Sequence, residues 1–271
     1  MNSDRTIRSR ENALLKRVGA ALAGKEPGTL VLEGDRLVDD ALAAGLALEV
    51  VLVSDARPER AAELERAHLG AGKARPGAGM ELRLVDADLL ARASRLKTPP
   101  GILALCAVPP AIEAARIELA TSTLLLVAAG VADPGNLGAL ARSAEAFGAD
   151  ALFVARGGAS PWNEKALRGS MGSLLRLPVG ANADAAELAR ALAARGVRQV
   201  CAATRGGADP KRFDWTGPIA LWVSGETGGI PEAAARFERL TIPMKRGVES
   251  LNVTVAASLL LHAAGRIGGA S

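Results

Sequence analysis

The sequence predicts an α/β protein of two units, each a sheet covered by helices. Three observations carry this. Short apolar strands alternate with helical patterns along the whole chain, an order that implies mainly parallel sheets covered on both faces. The 271 residues, 49% of them hydrophobic, suffice for one large core or two ordinary ones. A Pro109-Pro110 pair then breaks the alternation. The expected division is a first unit over residues 1–108, a linker over 109–120 and a second unit over 121–271.

In the first unit, Ser9 is placed to cap a helix running to Ala23, in which Leu14, Leu15, Val18, Ala21 and Leu22 recur at helical spacing. A strand at 29–33 precedes a helix at 36–44 closed by Gly45. Residues 48–53 read as a strand and 58–69 as a helix with Pro58 near its first turn. The stretch 70–79 is rich in Gly, Ala, Pro, Lys and Arg and reads as a flexible loop. A strand at 82–85, a helix at 88–96 and a strand at 102–108 complete the unit. In the second unit, strands are expected at 124–128, 151–154, 198–203 and 219–223, with helices at 137–147, 163–169, 185–195 and 231–237.

Composition narrows the function classes. The longest apolar run, around 253–264, is interrupted by Thr254, Ser258 and His262, so no membrane span is expected. Met1-Asn2-Ser3-Asp4-Arg5 has no apolar region behind it, so no signal peptide is expected. Cys106 and Cys201 lie far apart without another Cys or His at ligand spacing. They read as buried free thiols in a reducing cytoplasm, with no structural metal. The net charge of +4 suits a nucleic-acid partner without requiring one. Cations gather at Arg5, Arg8, Arg10, Lys16 and Arg17, and again at Arg156, Lys165, Arg168 and Arg176. With no Tyr, four Phe and three Trp, stacked bases are not the expected mode of contact; phosphates are.

Three clusters carry chemistry. The first, Asp133-Pro134-Gly135-Asn136-Leu137-Gly138-Ala139-Leu140-Ala141-Arg142, joins a strand to a helix, where α/β sheets bind ligands. Asn136 is placed to cap that helix. Gly138 costs about 1 kcal/mol against alanine inside a helix, so something must pass close by. Arg142, among Leu140, Ala141 and Ala144, needs a carboxylate, a carbonyl or a phosphate. The second cluster, Ser224-Gly225-Glu226-Thr227-Gly228-Gly229, follows a strand, and its glycines allow close backbone approach to a ligand. It is not a lysine-bearing phosphate loop, and no Rossmann fingerprint occurs. The third cluster runs from Ile242-Pro243-Met244 to Ser250-Leu251-Asn252-Val253 at the mouth of an apolar helix. Ser250 is the expected cap, which leaves Asn252 as either a second capping group or a site residue. Thr254, Ser258 and His262 form a narrow polar stripe on that helix, whose remaining apolar girth requires burial in a core or a partner subunit.

In this order the clusters resemble the SpoU, or TrmH-like, family of RNA ribose methyltransferases within the SPOUT superfamily. The motifs are Asn136-x-Gly138-x-x-x-Arg142 followed by Ala144-Glu145-Ala146-Phe147-Gly148, then Gly225-Glu226-x-x-Gly229, then Ile242-Pro243-Met244 through Ser250-Leu251-Asn252-Val253. Lys165-Ala166-Leu167-Arg168-Gly169-Ser170-Met171-Gly172 also resembles the family, and the likeness covers roughly 121–268. Ser224 stands where many relatives have glycine. Ser9-Arg10-Glu11-Asn12, Leu32-Glu33-Gly34 and Ala41-Leu42 make the first unit resemble the substrate-binding domain of longer members, itself similar to a ribosomal-protein RNA-binding fold.

The resemblance implies a second unit tied in a deep trefoil knot, a homodimer, and S-adenosylmethionine as methyl donor to a ribose 2′-hydroxyl. Arg142, Asn136, Glu226, Ser250 and Asn252 are the implied catalytic set. Ser224, Gly225, Ile242 and Leu251 would enclose the adenosine. Arg8, Arg10, Lys165 and Arg168 are the candidate RNA contacts. Ribosomal RNA is favoured over transfer RNA because the extra unit points to a large structured target. A non-catalytic RNA-binding or ribosome-assembly protein on the same scaffold is the alternative. A base methyltransferase of another SPOUT branch would lack this pairing of Asn–Arg with Ser–Leu–Asn.

Overall fold

The computed structural model describes residues 6–70, 79–225 and 232–265. The chain divides into two compact units, Met1–Pro109 and Pro110–Ser271. Among the described residues no helix is long and apolar enough to cross a membrane.

The first unit contains β1 (Thr6–Ile7), α1 (Ala13–Leu22), β2 (Thr29–Glu33), α2 (Asp35–Ala43), β3 (Leu48–Ser54), α3 (Pro58–Gly70), β4 (Glu81–Val85), α4 (Ala87–Ala93) and β5 (Ile102–Ala107). The sheet order is β1-β4-β3-β5-β2. Four of its five strands run the same way, as expected of a mainly parallel sheet, and β5 is the exception. β1, β4 and β3 run parallel, whereas β5 is antiparallel to both β3 and β2. The reason is where the chain re-enters the sheet. After α4 it returns to the C-terminal end of β3, where the Ser54 amide donates to Gly101 O at 2.9 Å, so β5 must run back down. Arg57 holds this turn by donating to Pro100 O at 2.7 Å, and Gly101 supplies the left-handed backbone (φ +72°).

Asn12, not Ser9, caps α1: its side chain accepts from the Leu14 amide at 2.9 Å, while Ser9 closes the preceding turn on Glu11. Val18, Leu52, Val85, Leu90 and Leu105 are packed in one core cluster against that face of the sheet. Cys106 is fully buried on β5, and burial pushes its thiol up to about 12, so it is an inert core residue. Most of the expected loop at 70–79 lies outside the described residues.

The second unit contains β6 (Leu124–Ala129), α5 (Pro134–Ala146), β7 (Ala151–Ala155), α6 (Glu164–Ser170), α7 (Ser173–Arg176), β8 (Val179–Ala183), α8 (Ala185–Ala194), β9 (Arg198–Ala202), β10 (Ile219–Ser224), β11 (Glu238–Leu240) and α9 (Val253–Ala264). Its sheet order is β11-β9-β10-β6-β7-β8, and every neighbouring pair is parallel. β6 and β7 are wholly apolar and buried, and β10 is so up to its last residue, Ser224, as a sheet covered on both faces demands. From β6 the chain builds outward through β7 and β8 on one side and later fills β9, β10 and β11 on the other. The reversal places a crevice at the C-terminal ends of β6 and β10.

Residues 112–117, expected as linker, pack on this unit: the Ile112 amide donates to Val179 O at 3.0 Å and Arg195 donates to Ile117 O at 2.6 Å. Short edge elements escaped the sequence reading. β8 reads Val-Gly-Ala-Asn-Ala because a Cβ at Gly180 would fall 2.3 Å from the Phe153 ring. The helix expected at 231–237 is, among the described residues, a single 3-10 turn at Glu232–Ala234.

Gly138 has the close neighbour its cost implied. α6 crosses α5 so tightly that a Cβ there would lie 2.3 Å from Ala166 O and 2.9 Å from Ser170 N. Alanine would gain about 1 kcal/mol of helix propensity but must push two backbones apart, at a typical cost of about 1–3 kcal/mol or more. Gly138→Ala is therefore expected to lower the urea unfolding midpoint, in spite of its better helix propensity.

Candidate functional site

The site is built where α5 and α9 begin. Asp133 caps α5 by accepting from the Asn136 amide at 2.8 Å, and Pro134 occupies the first turn, where its missing N–H costs nothing. This corrects the expectation that Asn136 is the cap, and it frees the Asn136 side chain. Asn252 caps α9, accepting from the Thr254 amide at 2.9 Å, which corrects the assignment of that role to Ser250. The first helical residue is Val253, so the cap must stand at 252; Ser250 lies upstream in the approach loop.

Asn252 does more than cap. Its Nδ2 donates to Asn136 Oδ1 at 3.3 Å, while Thr254 Oγ1 donates to Asn136 O at 3.3 Å. Further along, Ser258 Oγ donates to Thr254 O and lies 2.7 Å from Ser143 Oγ. The Phe147 and His262 rings meet with centroids 5.5 Å apart. The polar stripe of α9 is therefore its contact with α5, and the two helix N-termini lie side by side. Their unsatisfied amides make this corner favourable to negative charge.

Arg142 is exposed on α5 and makes no hydrogen bond or ion pair among the described residues. The apolar residues beside it in sequence, Leu140, Ala141 and Ala144, turn inward, so the guanidinium needs no internal partner. It lies on a stripe between Gly138, pressed against α6, and Glu145, which Arg176 engages through two hydrogen bonds of 2.7 and 2.8 Å. The Arg176 guanidinium holds the Glu145 carboxyl below the usual range. Glu226 lies outside the described residues.

Next to this corner a cavity of about 390 Å³ opens at the strand ends. Ser224 and Gly225 after β10, Ile242 after β11, and Ser250 and Leu251 before α9 all line it. Its size and its mixture of aliphatic wall and few polar groups suit a nucleoside-sized ligand. The backbones of Ile242 and Leu251 enter no backbone hydrogen bond among the described residues, so their N–H and C=O groups remain for a ligand or solvent. These features fit the adenosine part of S-adenosylmethionine. Gly225 has a different task from the one its loop suggested. A Cβ there would fall 2.3 Å from Gly130 O, so glycine serves the approach of two chain segments.

The sequence reading missed Thr204 and Arg205, which also line the cavity. The signal was present: Thr204-Arg205-Gly206-Gly207 is another glycine-containing loop at a strand end.

The candidate RNA contacts separate into two kinds. Lys165 donates to Asp133 at 2.6 Å and Arg168 pairs with Glu164 one turn away. Lys165 and the Asn136 amide hold the Asp133 carboxyl below its usual range. Arg8 and Arg10 are exposed and make no ion pair among the described residues. No cluster of His, Cys, Asp or Glu that could hold a metal occurs among the described residues.

Comparison with known proteins agrees with this geometry. The SpoU rRNA Methylase family model matches residues 123–262, and an MRM3-like substrate binding domain matches 24–104. The chain is 31% identical over 238 residues to the 23S rRNA (guanosine(2553)-2′-O)-methyltransferase RlmP of Bacillus subtilis, covering 86% of this chain and 87% of that one. The AdoMet complex of the SpoU methyltransferase AviRb from Streptomyces viridochromogenes superposes with a TM-score of 0.82 at 28% identity, over 94% of this chain and 98% of that one. An AdoMet-bound rRNA methyltransferase from Sinorhizobium meliloti, at 23% identity and a TM-score of 0.82 over 96% and 97% of the two chains, shares the fold. With the family model matched across residues 123–262 and a relative 31% identical over most of both chains, the chain belongs to the SpoU rRNA methylase family.

Proposed function

We propose that this protein transfers a methyl group from S-adenosylmethionine to a ribose 2′-hydroxyl of ribosomal RNA. The observation that carries this reading is the placement of the cavity formed by Ser224, Gly225, Ile242 and Leu251 directly beside the Asn136–Asn252 pair. When bound, S-adenosylmethionine supplies a methyl on a sulfonium, an electrophile that requires no metal. The protein's tasks are to align the hydroxyl, exclude water and ease loss of its proton. Arg142 is permanently protonated, so we assign it to the target phosphate and to the developing alkoxide charge, not to the base. Asn136 and Asn252 lock each other's amides and orient the nucleotide. Ser250 lines the cavity on the same approach loop, and Glu226 retains the orienting role implied by the family.

Arg8 and Arg10 are the better candidates for phosphate contact in the substrate-binding unit, since Lys165 and Arg168 must first exchange their carboxylates for RNA. The relatives named for 23S rRNA support a ribosomal substrate. A deep trefoil knot belongs to the same reading. So does a homodimer, supported by Val255 and Leu259, which are 48% and 46% exposed one turn apart on a helix whose opposite face is buried. The two free buried cysteines suit the cytoplasm.

Incubation with unmethylated ribosomal RNA and S-adenosylmethionine is expected to yield a discrete 2′-O-methylated nucleotide, mapped by nuclease resistance and mass spectrometry. Cofactor binding without any ribose methylation would favour the scaffold alternative. Arg142→Lys should slow turnover by about 10²–10³ while leaving the pH–rate profile in place; a displaced profile would restore a base role. Asn252→Ala should cost about 1 kcal/mol of stability through loss of the cap. Asn252→Asp keeps the cap acceptor and lacks the donor to Asn136, so it should retain stability and lose activity. Val255→Asp with Leu259→Asp should convert a dimer to a monomer by light scattering.

A further inference from the structure

One edge of the cavity carries an arginine that the proposed chemistry leaves without a role. α5 follows β6, so the reacting corner adjoins the β10 edge of the cavity. The opposite edge is formed by Thr204 and Arg205 after β9 and by Ile242 and Met244 after β11. Among the described lining residues, Arg205 and Arg239 alone carry charge. Arg239 stands in register with Cys201 on β9. Burial pushes that thiol up, and the charge of Arg239 opposes the shift.

Arg205 is exposed and makes no hydrogen bond or ion pair among the described residues. Yet two residues further on its loop is tied to β11 and to the residue after that strand. The Gly207 amide donates to Thr241 Oγ1 at 2.9 Å, Ala208 N donates to Arg239 O at 2.8 Å, and Thr241 N donates back to Ala208 O at 2.9 Å. A Cβ at Gly207 would lie 2.5 Å from Arg239 O, so the loop sits flush against β11.

We propose that Arg205 closes the adenosine end of the cavity by laying its guanidinium on the exposed face of the adenine ring. This rests on the methyltransferase reading. The reacting methyl must face Asn136 and Asn252, which leaves the adenosine between Ile242 and Leu251, on the side of the Arg205 loop. A cation also belongs at the end away from a sulfonium, because like charges repel. Arginine suits the position better than lysine: its planar, weakly hydrated head stacks on aromatic faces against an aliphatic wall. The anchored loop keeps that head near its working position before the ligand arrives.

Isothermal titration calorimetry of the full chain tests the assignment, using S-adenosylmethionine and 5′-methylthioadenosine, which lacks the amino-acid arm. Arg205→Ala should weaken both ligands by roughly tenfold, with an unchanged thermal midpoint, and Arg205→Lys should recover only part of the loss. Weakened S-adenosylmethionine with intact 5′-methylthioadenosine binding would mean a carboxylate contact and overturn the proposal. Full recovery in Arg205→Lys, or unchanged affinity for both ligands, would overturn it as well, the latter even if RNA retention fell. If the wild-type protein bound neither compound, the methyltransferase reading itself would fall, and this inference with it.

Discussion

The seam between α5 and α9 is the constraint on which the functional corner depends. Asn252 caps its own helix with one amide atom and donates to Asn136 with the other, so a single side chain sets both the start of α9 and its register on α5. Thr254 repeats the tie at the Asn136 carbonyl, and Ser258 reaches Ser143 further along. Each bond is individually modest, on the order of 1 kcal/mol. Their value lies in position: they bring two helix N-termini to the same place beside the strand ends, where both a cofactor and a polyanion must be received.

Close backbone contact supplies the rigidity behind that seam. Gly138 allows α6 to press on α5, and Gly225 allows the end of β10 to press on the end of β6. With both approaches occupied by backbone atoms, α5 has little freedom to shift as a body. Asp133 adds an electrostatic tie by capping α5 and holding Lys165 of α6. The exposed Arg142 thus projects from a firmly held helix, which suits a group whose task is to meet charge at a defined point.

The legibility of this site in the sequence varied with the kind of constraint. Gly138 announced a neighbour because glycine is costly inside a helix, and the neighbour proved to be α6. The sequence showed Thr254, Ser258 and His262 as a polar stripe on a helix needing burial, and the stripe proved to face α5. The caps were misassigned in three places for a common reason. Ser9, Asn136 and Ser250 are all good cap residues, but each lies near a second one, Asn12, Asp133 or Asn252, and propensity alone does not choose between neighbours. The loop at Thr204–Gly207 was overlooked because its role depends on being set against β11, a strand of only three residues with too little pattern to read.

Periodicity and motif order along the chain were enough to establish two α/β units and the family resemblance, and the resemblance in turn pointed to Ser224, Gly225, Ile242 and Leu251, which line one cavity. These are local properties, written in residue types and spacing. The antiparallel entry of β5, the identity of the caps, the pairing of Asn136 with Asn252 and the inward edge at Arg205 came from the folded arrangement. Each depends on which groups meet across long stretches of chain, and hydrogen-bond partners separated by more than a hundred residues leave no periodic trace in the sequence that encodes them.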